Sequence, residues 1–396
     1  MILGASILQI PAIIKAKEMG LKVVAVDMNP EAVGFQVPDI EKEIISTIDI
    51  EKVLEAAKVH KIDGIMTLAS DMPMRTVAVV AQTLGLPGID KQTALNTTNK
   101  AVMRKCLETN HVPIPEYYKI CSLEEYWKII ENFKFKGKKC IVKPADNSGS
   151  RGVNLISDFS NNQELNNVYK YSKQFSRGGE ILVEEYMEGK EVSVETISIN
   201  GICHILQITD KLTTGAPYFV EMGHSEPSML EESMQEKIKE IACKAVKAVG
   251  IESGPSHTEI IVTNEGPKIV ELGARMGGDN ITTHLVPLST GIDMVKSCIL
   301  LAIGEYPDIS RKCDKGAAIR YLNTKQGRLT NIYNVETAKK IEGIKQISIV
   351  RHVGEEITKI KSSVDRMGFV IAQAKNAKDA ISICEDAMRI IEIEVN

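Results

Sequence analysis

The chain reads as an α/β protein of Rossmann-like type at its start that passes into α+β layers, with a small mixed unit at its end. Three observations predict this. Residues 1–90 alternate short apolar strands with helices, the order a parallel sheet requires. Further along, apolar and polar residues alternate with period two in EVSVETISI and ICHILQIT, as half-buried antiparallel strands do. The composition, 43% hydrophobic and 25% charged over 396 residues, supports about two to four domains with cores and excludes a disordered or collagen-like chain.

The elements follow in order. Ile2–Leu3 is a strand stub, residues 4–9 turn, and residues 11–20 form a helix stopped by Gly20. LKVVAVD is a buried strand ending at Asp27, followed by EKEIISTI, a helix over residues 50–59 and the strand DGIMTLA. GASILQ lacks G-x-G-x-x-G, which argues against dinucleotide binding. A boundary falls at Leu86–Lys100, where Pro, Gly and a run of capping residues gather. A helix over residues 100–109 and the break HVPIPEY lead to strand KKCIVKPA, the loop DNSGSRG and strand VNLI. A polar helix over residues 159–174 and strand EILVEEY come before the two alternating strands, and residues 210–228 read as loop. A long helix over residues 229–249 precedes strands HTEIIVT and PKIVELG, joined by a turn at residues 264–266. Short strands and an amphipathic helix over residues 377–390 end the chain.

Charge and cysteine narrow the function. Forty-eight Lys and Arg against 52 Asp and Glu give −4, too balanced for nucleic acid or an anionic membrane as main partner. No run approaches a membrane span, and the first residues do not read as a signal peptide. Eight scattered cysteines without Cys-x-x-Cys spacing read mostly as small buried hydrophobes in a reducing cytoplasm. The seven histidines give no zinc signature.

Three segments carry chemistry. In CIVKPADNSGSRGV a strand presents Lys143 ahead of a loop containing Ser148, Gly149, Ser150 and Gly152. Such a loop forms a nest of N–H groups for a phosphate, with the lysine as a point charge; an ordinary turn with a solvated lysine fits the same residues. In ILVEEYMEGKEVSVE a strand-turn-strand hinge at Gly189 brings Glu184 and Glu191 to an apolar edge, where adenine and ribose would be met; the alternative is a charged surface hairpin. In SHTEIIVTNEGPKIVELGARMGGDN, Glu259 and Glu271 lie on neighbouring strands, so their carboxylates converge as oxygen ligands for Mg²⁺ beside a nucleotide. Arg275, four residues past Glu271, is placed to stabilise a transferring phosphoryl group or a carboxylate.

In this order, VKPADNSGSRGV, VEEYMEGKEVSVE and TEIIV…IVELGARMGG resemble the ATP-grasp superfamily over nearly the whole chain. FVEMGHSEPS looks most like the L-amino acid ligases of the carboxylase-like branch, and GAAIRYLNTKQGRL with DRMGFVIAQAKNAKDAISICEDA resembles that branch's C-terminal subdomain. The resemblance implies a pre-ATP-grasp domain over residues 1–92 and an ATP-grasp domain over 93–304, two α+β subdomains clasping ATP, with a lid subdomain at about 113–186. A C-terminal subdomain over 305–396 completes the module. It implies that Lys100 and Lys143 contact ATP phosphates under a lid at 148–152, that Glu184 and the Met187 backbone meet adenine, and that Glu191 meets ribose. Glu259 and Glu271 would hold Mg²⁺, or Mn²⁺ in its place, with Arg275 at the reacting phosphoryl group. The family often has E-x-N-x-R where this chain has Glu271–Leu272–Gly273–Ala274–Arg275, and Gly273 has no side chain to coordinate a second metal.

The expected activity is an ADP-forming carboxylate–amine ligase in the cytoplasm. It would take a small carboxylate, such as an amino acid, and an amine through an acyl phosphate, and could assemble as a homodimer. His224 either orients substrate and assists amine deprotonation or is a satisfied loop histidine, while His257 reads as structural. The rivals are an ATP-grasp enzyme of carboxylase, glycinamide or carbamoyl-phosphate type using bicarbonate or formate, and a nucleotide-binding module without catalysis.

Overall fold

The structure, a computed structural model, describes residues 1–147, 149 and 151–396. Strands Ile2–Leu3, Val24–Val26 and Glu41–Glu43 form the expected parallel sheet, packed on helices Ile10–Glu18 and Ile50–His60. The strand expected at DGIMTLA shrinks to one bridge, Ile2 to Met66. Gly64 is pressed against the Ala302 backbone, where a Cβ would lie 2.4 Å from the carbonyl oxygen, and Ala69 turns the chain away at φ 58°.

The capping residues of the expected boundary do more than break the chain. Asp90 caps a helix, Lys91–Thr98, by accepting from the Thr93 N–H, and Asn99 caps the next, Lys100–Thr109, by accepting from Ala101 and Val102. Lys100 is thereby the first residue of a capped helix, as expected. Helices Pro73–Leu84 and Leu123–Lys136 were also not read from the sequence.

Strands Tyr117–Ile120, Ile181–Glu185, Cys140–Pro144 and Asn154–Ile156 lie side by side in an antiparallel sheet. Helices Leu123–Lys136 and Asn162–Gln174 cover one face, burying Tyr126, Ile130, Phe133 and Leu165 against Val142 and Val183.

A larger antiparallel sheet runs, in spatial order, through Gly266–Gly273, Gly254–Thr263, Lys190–Ile199, Ile202–Thr213, Glu221–Glu226, Gly316–Leu322, Gly368–Ala374 and Ile344–Ile349. Helix Glu232–Val249 lays Ile238, Ala242, Ala245, Val246 and Val249, one helical stripe, on Val192, Val194, Ile208, Ile260 and Ile269. The loop expected over residues 210–228 is mostly strand: one strand continues to Thr213 and Glu221–Glu226 forms another. Its polar inward residues hid it, because the face they line holds paired charges instead of an apolar core. Helix Ala377–Ile390 packs Ala380, Cys384 and Ala387 on the far end, beside a small sheet of Gly327–Tyr333, Glu356–Ile357 and Glu392–Val395.

All eight cysteines are free. Only Cys140, Cys298 and Cys384 are buried, while Cys121 is exposed and the other four are half-buried, so the expectation of a mostly buried set is corrected. No single helix among the described residues is long and apolar enough to cross a membrane.

Candidate active site

The two antiparallel sheets face each other across an open cleft. One wall brings Lys143 and Glu184 from the four-stranded sheet, with Gly149 beyond them; the other brings Glu191, Glu259 and Glu271 from the long sheet. Met187 lies between the walls on the crossing strand-turn-strand, and Lys100 enters from its capped helix. Ser148 and Ser150 lie outside the described residues, so the loop assigned to phosphate is seen here at Gly149 and Gly152.

Gly189 makes the hinge. A Cβ there would stand 2.1 Å from the Val262 carbonyl oxygen, so only glycine lets the chain cross tightly to the neighbouring strand. The crossing chain is anchored on its other side by Glu185 N–H to the Glu116 carbonyl, 2.8 Å, and Tyr186 N–H to that of Lys139, 3.1 Å. Among the described residues the Met187 N–H and C=O have no partner, which leaves a donor and an acceptor at the edge of an apolar slot. Beyond the hinge a second opening continues past Phe219 and Ile261.

The charges are matched in chains. Glu184 is fully engaged: Arg104 grips it through Nε at 2.7 Å and Nη2 at 3.1 Å, and Lys143 Nζ stands 2.6 Å from its Oε2. Burial alone would raise this carboxyl, but the two cations hold it at about 2. Lys143 is lowered by burial, which Glu184 only partly opposes. The Glu184 carboxylate is thus engaged by its cations, while it and Met187 both line the cleft.

Glu259 and Glu271 are paired in register across their strands. Lys211 Nζ lies 3.1 Å from Glu259 and 2.5 Å from Glu191, while Lys100 Nζ bonds Glu271 at 2.8 Å and the Asn147 carbonyl at 2.6 Å. Burial would lower both lysines; their carboxylates overcome it and raise them. Glu259, which burial would raise, is held well below its usual range by Lys211 and His257, while burial lifts Glu191 despite Lys211.

Sequence reading missed Arg104 and Lys211, which set this electrostatics, and Asp71, which binds Arg275. Arg104 follows Lys100 by one helical turn, and Gln207, Thr209 and Lys211 put polar residues on one strand face; these were the available signals. The structure does not bring His224 to the cleft lining: it is 1% exposed on Glu221–Glu226, 3.6 Å from Asp279, and among the described residues neither ring nitrogen has a hydrogen-bond partner. His257 bonds Glu195 through Nδ1 at 2.6 Å and reaches Glu259 at 3.4 Å. Burial would lower it, yet the two carboxylates raise it to about 9.

The donor set fits Mg²⁺. Among the described residues no three or more His, Cys, Asp or Glu gather into an ion cage, and Mg²⁺ commonly takes one or two carboxylates plus phosphate oxygens and water. Glu259 and Glu271 are such a pair of hard oxygen donors, each beside an ammonium group.

Comparison with known proteins agrees. Residues 136–284 match the ATP-grasp domain and residues 320–396 the L-amino acid ligase C-terminal domain 2. The chain is 27% identical to alanine–anticapsin ligase of Bacillus subtilis over 66% of its own length, although it spans only 58% of that ligase. It is 26% identical to phosphoribosylamine–glycine ligase of Methanocaldococcus jannaschii, covering 97% of this chain and 91% of that one. Its fold superimposes on L-amino acid ligase from Bacillus licheniformis with a TM-score of 0.85 at 23% identity, covering 100% and 98% of the two chains. The chain thus carries an ATP-grasp domain of that superfamily, joined to a C-terminal domain of the L-amino acid ligase type. Within it, the chain is an ATP-dependent ligase of the carboxylate–amine class.

Proposed function

We propose that this ligase activates the carboxylate of an amino acid, or of a similar small acid, with MgATP and passes the resulting acyl phosphate to an amine. The observation that carries the reading is the register pair Glu259–Glu271, set opposite Lys143 and Lys100 and followed four residues later by Arg275. Bound Mg²⁺ would supply charge neutralisation at the terminal phosphates, held by Glu259 and Glu271. Lys100 and Lys143 add fixed positive charge along the phosphates, and the main chain at Met187 holds the base. Arg275 balances charge on the transferring group, so the protein acts by position and field rather than by covalent chemistry. The loop over residues 148–152 excludes water from an intermediate that hydrolyses readily.

The relative that ligates alanine to anticapsin supports an amino acid as the carboxylate partner, and the match at residues 320–396 supports the same branch. Eight free thiols suit a cytoplasmic setting.

Hydroxylamine tests the intermediate. Supplied with ATP, Mg²⁺ and a mixture of the proteinogenic L-amino acids, the enzyme is expected to release ADP and phosphate and to form a hydroxamate. Release of AMP and pyrophosphate would overturn the acyl-phosphate route.

A further inference from the structure

Arg275 does not stand free at the end of its strand. Its Nε donates to Asp71 Oδ1 at 2.8 Å and its Nη2 to Asp71 Oδ2 at 3.2 Å, while Nη1 donates to the Met276 carbonyl at 3.1 Å. Asp71 comes from the Rossmann-like part of the chain, 204 residues away in sequence, and both side chains are almost buried, at 12% and 14% exposure.

Two further features show that the contact is built. Ala69, two residues before Asp71, is held at φ 58°, where an L-residue with a Cβ is strained, and the turn is tied down by Gln9, whose Nε2 donates to the Leu68 carbonyl at 2.7 Å and to Ser70 Oγ at 3.2 Å. On the other side, a Cβ at Gly273 would lie 2.9 Å from Asp71 Oδ1 and 3.2 Å from Arg275 Nε. The space beside Gly273 is thus filled by the carboxylate of Asp71. A small hollow beside Asp71 is bounded by Lys100, Asn147 and Glu271, residues that also line the cleft.

The geometry sets which part of the guanidinium remains. Of its five N–H groups, three are spent, two on Asp71 and one on Met276. The two left are one on each terminal nitrogen, the fork that grips two oxygens of a phosphoryl group or carboxylate.

We propose that Asp71 is the positioning residue for Arg275, and that Gly273 is glycine because Asp71 needs its space, so that the three residues act as one unit. Asp71 fixes the side edge of the guanidinium and aims the end edge at the reacting group. This rests on the proposed role of Arg275 in the ligase reaction.

The test compares Asp71→Asn, Gly273→Ala, Asp71→Ala and the double variant Asp71→Ala/Gly273→Ala. ADP release is measured on the amino-acid mixture, and the Arg275 Nε–H resonance, assigned by its loss in Arg275→Lys, is followed by NMR. In wild type that resonance should exchange slowly. It should be lost in both Asp71→Asn and Gly273→Ala, a result that needs no turnover. Turnover should fall about 100-fold in each single variant with the KM for ATP within about twofold, because a misaimed group costs rate more than ground-state binding. The double variant should be no slower than the worse single one, since both break the same contact. Mn²⁺ affinity of the ADP complex should stay within about twofold of wild type, as expected of a residue that acts through an arginine.

Several results would overturn the proposal: an Arg275 resonance that persists in Gly273→Ala, additive losses in the double variant, a lowered melting temperature with unchanged turnover, or Mn²⁺ binding weakened tenfold or more in Asp71→Asn, which would make Asp71 a metal ligand. Should Asp71→Asn not fold, Gly273→Ala alone carries the resonance test. Failure of the ligase reading is told apart by wild type itself, which would then form no hydroxamate while the Asp71–Arg275 resonance pattern stands.

Discussion

Glu259 and Glu271 face each other in register on neighbouring strands, yet each is bound by a different ammonium, Glu259 by Lys211 and Glu271 by Lys100. Like charges placed opposite each other destabilise a sheet. Here the two lysines, arriving from separate elements, supply the compensating charge while leaving oxygen donors at the cleft surface.

Glu271→Gln should remove this balance on one side. We expect ATP turnover to fall at least about 100-fold, with circular dichroism and melting temperature close to wild type, because the amide still accepts from Lys100 but is a poor Mg²⁺ ligand. Near-normal turnover at saturating Mg²⁺ would sink the metal assignment.

Glu184 makes stability depend on acid. Its carboxyl drops from an ordinary 4.5 to about 2 because Arg104 and Lys143 outweigh its burial, so the fold binds its ionised form more tightly. That contribution is complete above pH 4.5 and is lost as the pH falls toward about 2, amounting to roughly 3 kcal/mol. Urea unfolding from pH 6 downward should therefore be shallower in Glu184→Gln than in wild type. The variant itself should be about 3 kcal/mol less stable at pH 7, since two buried cations lose their counter-charge. Equal pH slopes in the two proteins would refute this.

Glu226 acts in the opposite sense. It is fully buried, receives hydrogen bonds from Thr209 and Ser289 at 2.8 Å each, and is raised by burial to about 8. A carboxyl raised above its unfolded value stabilises the fold fully below pH 4.5, and that support is lost as the pH climbs through about 8, at about 1.4 kcal/mol per pH unit. Glu226→Gln should flatten this decline between pH 5 and 8 and be the more stable protein at pH 8. A variant that loses stability with pH as steeply as wild type would show that Glu226 is ionised in the fold.

Much of the fold was legible because apolar periodicity reports burial. Lys190–Ile199 and Gly254–Thr263 carry that signal, and the motif order fixed how they assemble around the cleft. Glu221–Glu226 was illegible for the converse reason: Glu221, His224 and Glu226 are polar residues on a strand whose surroundings are polar, so the alternation vanishes although the strand is real. Among the site residues, Glu259, Glu271, Lys100 and Lys143 line one cleft, since each sits on a regular element beside a motif. Asp71 was invisible because its meaning lies in a partner distant in sequence, Arg275, while Arg104 offered only its place one helical turn after Lys100, with its partner Glu184 80 residues away. Composition around Asp71 gives no hint of a guanidinium approaching from 204 residues away.

The long sheet has a practical consequence for anyone wishing to cut or exchange parts of this enzyme. Its strands run unbroken from Gly266–Gly273, which carries Glu271, to Gly316–Leu322, Gly368–Ala374 and Ile344–Ile349 near the chain's end. Removing the last ninety or so residues would strip three neighbours from that ladder and leave Glu221–Glu226 as a raw edge, open to pairing with other molecules. The tail is thus no detachable cassette: a chimaera that swaps it in search of new substrates must graft strand pairing as well as pocket, or it will aggregate before it can be assayed.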